Sequence, residues 1–143
     1  MNPEERIKAG TAFATNTTVK TVQMVHLQLN DDFAIAFGRS LASNSTLEKV
    51  CLDSNCFSGT GLLALMEGLG QNSSITDFQV RHQTKTMTSA EELSLPNFLM
   101  NNKSIIKLGV DVRTQLIRQQ IDRKLNENRE YQRKQRRNGG HRQ

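Results

Sequence analysis

Four segments of this chain begin with the same phrase, Asn-x-Ser/Thr followed by an aliphatic residue: Asn16-Thr17-Thr18-Val19, Asn44-Ser45-Thr46-Leu47, Asn72-Ser73-Ser74-Ile75 and Asn102-Lys103-Ser104-Ile105. The asparagines are 28, 28 and 30 residues apart. After each comes an apolar triplet at i, i+3 and i+5, namely Val19/Val22/Met24, Leu47/Val50/Leu52, Ile75/Phe78/Val80 and Ile105/Leu108/Val110. The last two positions of each triplet alternate as a half-buried strand requires. A chain that restates itself at this interval is a stack of like units, each burying its apolar face against its neighbours.

The stretch before each asparagine is in phase too. Phe13, Leu41, Leu69 and Leu99 stand three residues upstream, Ala9, Phe37, Leu65 and Leu95 seven, and Ile7, Ile35, Leu63 and Leu93 nine. On a helix these columns form an apolar stripe about 160° wide, suited to packing on a sheet. Gly10, Gly38, Ala14, Ala42 and Gly70 are small enough to let adjacent helices approach closely. One strand and one helix per unit, with an L-x-x-L-x-L strand phrase, is the leucine-rich-repeat pattern. The expected fold is therefore α/β: a right-handed solenoid with a short parallel sheet on one face, helices on the other and a capping helix at the C-terminus. Residues 1–15 read as the helical half of a unit without its strand, as though the chain began partway through a larger protein. Residues 16–112 are the repeats, 113–137 a basic C-terminal helix and 138–143 a disordered tail. Pro96 is expected to kink the third repeat's helix or shift its start, and the loop Arg81–Thr88, two residues longer than its counterparts, to bulge.

Most of the conspicuous local motifs have structural explanations. The four Asn-x-Ser/Thr phrases match glycosylation sequons, but an asparagine just past a helix end favours the left-handed conformation that terminates helices. Cys51 and Cys56 lack the further ligands of a zinc site and read as free thiols. His26 and His82 share a phase two repeats apart, about 10 Å across the sheet, too far for a common metal. Asp31, Asp32 and Ser58 fall where helices should begin and are expected to cap them. Ser58-Gly59-Thr60-Gly61 lacks the lysine of a phosphate-binding loop. No nucleophile, base and orienting group stand in phase, so the chain reads as a binding module and not an enzyme, with no cofactor and no metal.

The net charge of +5 is unevenly placed: residues 1–112 hold 9 Lys/Arg against 11 Asp/Glu, and residues 113–143 hold 10 against 3. Leu116, Ile117, Ile121 and Leu125 follow helical spacing and should close the open end of the stack, while Asn126–Arg137 has no apolar face and reads as an exposed basic helix. Such a helix favours an acidic partner. Nucleic-acid modules interleave basic residues with stacking aromatics, and only Tyr131 lies here; a membrane-surface helix needs Trp, Phe or Leu along one side, and none is present. A protein surface is therefore expected, with no nucleic acid and no membrane, from a monomer in the cytosol.

The run Asn44-Ser45-Thr46-Leu47-Glu48-Lys49-Val50-Cys51-Leu52-Asp53-Ser54-Asn55-Cys56-Phe57-Ser58-Gly59-Thr60-Gly61-Leu62-Leu63-Ala64-Leu65 resembles the C-terminal leucine-rich-repeat half of the tropomodulin family. Asn16–Val22, Lys107-Leu108-Gly109-Val110 and the basic ending Arg133-Lys134-Gln135-Arg136-Arg137 resemble it as well. The resemblance implies a cytoskeletal protein, associated with muscle, that caps the pointed end of actin filaments without tropomyosin. Tropomyosin would be bound by an N-terminal half absent here. It implies actin contacts from the strand-to-helix loops, the last repeat and the terminal helix. Carried over by position, these fall at Val25, Cys56 and Ile106. The family more often has an aromatic where this chain has Cys56; here the aromatic is Phe57, one place later, and either is the expected contact. Arg118, Arg123 and Lys124 are the tail residues expected to complement an acidic actin surface. A leiomodin-like nucleator is the first alternative, set behind capping because little follows the basic helix. A generic repeat scaffold whose tail binds RNA, lipid or acidic partners, or one activating a small GTPase, is the second.

Overall fold

The computed structural model describes residues 2–140. Its elements run α1 (Pro3–Thr11), a 3-10 turn (Ala12–Ala14), β1 (Thr21–Gln23), α2 (Asp31–Ser43), β2 (Lys49–Cys51), α3 (Gly59–Gln71), β3 (Asp77–Gln79), α4 (Ser89–Leu99), β4 (Lys107–Gly109) and α5 (Gln115–Gly140). The strands form one parallel sheet in chain order, and Val22, Val50, Phe78 and Leu108 lie side by side across it. That register is the repeat phase read from the sequence.

The core lies between sheet and helices. Columns three and seven residues upstream of each asparagine point into it, Phe37, Leu65, Leu95, Leu41, Leu69 and Leu99 all being buried. The column nine upstream does not: Ile7 and Leu93 are exposed and Ile35 and Leu63 half-buried, so the stripe is narrower than expected. Small residues bring the helices together. A Cβ on Gly38 would stand 2.4 Å from the Ala64 carbonyl oxygen, and one on Gly68 2.0 Å from that of Gly38.

The repeat asparagines act differently from the sequence expectation. Asn44 and Asn72 have extended, not left-handed, backbones (φ −81° and −88°). They work through their carboxamides. Asn72 Oδ1 accepts the N–H groups of Ser74 (2.8 Å) and Ile75 (2.7 Å), while its Nδ2 donates to the carbonyls of Leu41 and Asn44 in the previous repeat (2.9 Å each). Asn44 and Asn102 repeat the pattern, and all three are buried, which closes those sequons to a glycan.

The left-handed residues lie in the strand-to-helix loops instead: His26, Ser54 and His82, each ten residues after its asparagine, have φ of 60°, 60° and 62°. The two histidines are turn residues, histidine being among the side chains this region tolerates. α4 starts in phase despite Pro96 and ends two residues earlier, relative to its asparagine, than α2 or α3. The loop before α4 is two residues longer than its counterparts, with Thr84, Lys85 and Thr86 exposed.

α5 closes the end of the stack through Ile117, Ile121 and Leu125, but Leu116 is 59% exposed rather than part of that face. Its basic half is docked rather than free: Asn128 Nδ2 donates to the Ile105 carbonyl (2.8 Å), Arg129 Nη2 to that of Ile106 (2.6 Å) and Gln132 Nε2 to that of Ser104 (2.7 Å). Polar groups substitute for the missing apolar face by capping open carbonyls of the last repeat. The helix continues to Gly140, beyond the expected end at 137. Of the expected disordered stretch, 141–143 lie outside the described residues.

Candidate functional site

At the C-terminal ends of the strands the loops 24–30, 52–58 and 80–88 stand side by side, each fixed by the next. Asn55 is the clearest clamp. Its Oδ1 accepts the N–H groups of Leu27 (3.0 Å) and Leu29 (3.1 Å), and its Nδ2 donates to the carbonyls of Met24 (2.8 Å) and Leu52 (2.9 Å). Gln83, in the same phase one repeat on, takes the N–H of Phe57 (3.2 Å) and donates to the Leu52 carbonyl (3.1 Å). The column eleven residues past each asparagine, reading Leu27, Asn55 and Gln83, was the available sequence signal for these clamps.

Carboxylates fix the helix starts across repeats. Asn30, not Asp31, caps α2. Asp31 accepts the backbone N–H of Ser58 (2.8 Å) and its hydroxyl, so Ser58 donates to the preceding repeat instead of capping α3. At the far end buried Glu92 accepts the N–H groups of Arg113 and Thr114 (2.9 Å each), with the Arg113 guanidinium 3.8 Å away. Burial alone would raise the Glu92 pKa; the N–H groups of Thr114 and Arg113 and the Arg113 charge outweigh it and hold the carboxyl below its ordinary range. Burial pushes the Cys51 thiol up, making it a poor nucleophile.

The expected contact residues divide. Val25 is exposed on the first loop, and Cys56 is half-buried in a cleft of about 580 Å³ whose walls include His26, Leu27, Ser54 and His82. Phe57 is not available: its side chain is fully buried, stacked on Phe33 with ring centroids 6.4 Å apart. The single-residue offset places Cys56 at the surface and turns the aromatic into the core. Ile106, half-buried just before β4, lies at the opposite end of the strands from Val25 and Cys56, with its carbonyl taken by Arg129. Arg118 and Arg123 are exposed on α5, and Lys124 is half-buried beside Pro96 and Met100 at the α4–α5 seam. At 100° per residue these three fan around the helix and form no single patch. The exposed side of α5 is mixed in charge, with Asp122, Glu127 and Glu130 among Arg123 and Lys134. The dense positive charge lies past the last docking contact, at Arg133, Lys134, Arg136 and Arg137.

Among the described residues no three His, Cys, Asp or Glu side chains are grouped to hold a metal, and no helix is long and apolar enough to cross a membrane. A stack of parallel strand–helix units with rigid loops along one rim and a docked basic helix at one end is a leucine-rich-repeat binding module.

The chain belongs to the tropomodulin/leiomodin family, whose leucine-rich domain matches residues 2–131. It is 32% identical to rat leiomodin-2 over 98 residues, covering 68% of this chain and 18% of the relative. Bovine tropomodulin-4 is 28% identical over 124 residues, covering 87% of this chain and 36% of the relative. The chain thus spans only a fraction of the length of either. The solved structure of the leiomodin-1 actin-binding site 2 superposes with a TM-score of 0.92 at 26% identity, covering 99% of this chain and 82% of that one.

Proposed function

We propose that this chain is an actin-binding domain that caps the pointed ends of filaments. The observation that supports the actin-binding part of this reading is the superposition of nearly the whole chain on the actin-binding site 2 of leiomodin-1. Capping needs no chemistry: a module that covers the exposed face of terminal subunits blocks both addition and loss there. The strand-to-helix loops, through Val25 and Cys56, supply the apolar part of the contact, which drives affinity when buried. Arg118, Arg123, Lys124 and the end of α5 supply positive charge toward an acidic subunit surface, which governs encounter and orientation. Ile106 contributes from the other end of the last repeat. The chain acts as a monomer at the cytoplasmic actin cytoskeleton, without a cofactor and without contact to nucleic acid or membrane.

A leiomodin-like nucleating role is the second reading, favoured by the greater identity to leiomodin-2 than to tropomodulin-4. Polymerisation assays separate the two. Capping slows growth from filament seeds whose barbed ends are blocked and leaves the lag of unseeded actin unchanged. Nucleation shortens that lag. A chain that alters neither is not an actin regulator in this form.

A further inference from the structure

Leu27 is the second apolar anchor of the loop surface, and we propose that it inserts, together with Val25, into an apolar recess of the terminal actin subunit. The inference rests on the actin-binding reading above and adds a residue to it. Leu27 is 52% exposed. Among the described residues, Val25 and Leu27 are the large apolar side chains exposed on the strand-to-helix loops; the other exposed ones lie on helices or, for Met100, just past the end of α4.

The loop holds Leu27 outward at a cost. His26 and Gln28 on either side both have left-handed backbones (φ 60° and 56°), an uncommon and mildly strained state for residues other than glycine. Two clamps keep it there. Asn55 Oδ1 binds the Leu27 and Leu29 N–H groups, and the His26 N–H reaches the Asp53 carbonyl at 3.2 Å. Leu29, two residues on, is the buried side chain that ties the loop to the core, so packing asks nothing of Leu27.

The side chain also faces the rest of the surface. Leu27 lines the same cleft as Cys56 and His82, which joins the first loop to the second and third. Leu27 and Cys56 therefore stand on one cleft of the rim, with Val25 exposed two residues before Leu27 on the same loop. In the next two repeats the corresponding positions are Asn55 and Gln83, whose carboxamides turn inward as clamps. A rigid, outward apolar side chain loses little conformational freedom when it is buried by a partner, the property of an interface anchor.

The test compares Leu27→Asp with Leu93→Asp, a substitution of a still more exposed leucine on α4, in a pointed-end exchange assay on barbed-end-blocked filaments. Leu27→Asp should require at least about tenfold more protein for half-maximal inhibition, as anchor substitutions do. Leu27→Met should stay within about twofold of the parent, and Leu93→Asp should match the parent. Circular dichroism and thermal unfolding confirm that each variant folds, with Leu27→Ser replacing the aspartate if it does not. Equal potency of folded Leu27→Asp and parent overturns the assignment and leaves the capping reading intact. An inert parent overturns the capping reading itself.

Discussion

The side-chain nitrogen of Asn128 donates to the main-chain carbonyl of Ile105 at 2.8 Å, across the junction between α5 and the last repeat. The repeat asparagines make the same kind of bond, each satisfying carbonyls of the unit before it. Asn128 extends that series from the repeats onto the closing helix. A buried backbone carbonyl at the end of a stack has no next repeat to bond to, and α5 brings its own asparagine to it.

Replacing one ladder asparagine should therefore be expensive. Asn72→Ala leaves the carbonyls of Leu41 and Asn44 and the N–H groups of Ser74 and Ile75 without their partner. Each orphaned buried group costs about 1–3 kcal/mol, with water partly compensating, so a total of about 2–4 kcal/mol is expected by urea unfolding. A loss below about 0.5 kcal/mol would show that the ladder does not hold the stack.

Gly68→Ala tests helix proximity against helix propensity. In an isolated helix the substitution would stabilise by about 1 kcal/mol. Here the new methyl group meets the Gly38 carbonyl oxygen 2.0 Å away, backbone against backbone. The helices α2 and α3 must separate, and a net loss of about 1–3 kcal/mol follows, seen as a lower unfolding midpoint.

Glu92 makes the junction with α5 sensitive to acid. Its folded-state pKa lies below the ordinary value of 4.5. Its contribution to stability is thus fully present above that value and is lost as pH falls through the depressed one. Unfolding of the parent and of Glu92→Gln at pH 7 and pH 3 should show a large difference at neutral pH that shrinks in acid. An equal difference at both values would contradict the linkage.

Phe57 and Cys56 should separate folding from binding. Phe57→Ala removes a fully buried ring stacked on Phe33 and should cost about 3–5 kcal/mol. Cys56→Asp places charge in the open cleft, leaving the fold in place while weakening capping. The reverse assignment, a stable Phe57→Ala that fails to cap, would restore the aromatic as the contact.

The repeat spacing carried the strand register to the residue, because stacking in a parallel sheet converts a fixed interval directly into neighbouring positions. It could not show what the asparagines do, since their partners are backbone carbonyls a whole repeat away. His26 and His82 share a phase in the sequence, but a histidine pair does not announce a left-handed turn, and Ser54 between them keeps the same backbone with a different side chain. The burial of Phe57 was legible in phase, since Leu29 stands 28 residues before it, thirteen past its own asparagine, and is buried too. The docking of α5 was hidden for a related reason: Asn128, Arg129 and Gln132 are polar, and a search for an apolar face passes over them.

The central claim is met most directly by subunit exchange at pointed ends, followed on filaments whose barbed ends are already blocked. This chain should slow exchange at concentrations well below that of actin, and Val25→Asp should relieve the inhibition while remaining folded. Unchanged exchange with the chain in excess over filament ends would contradict it.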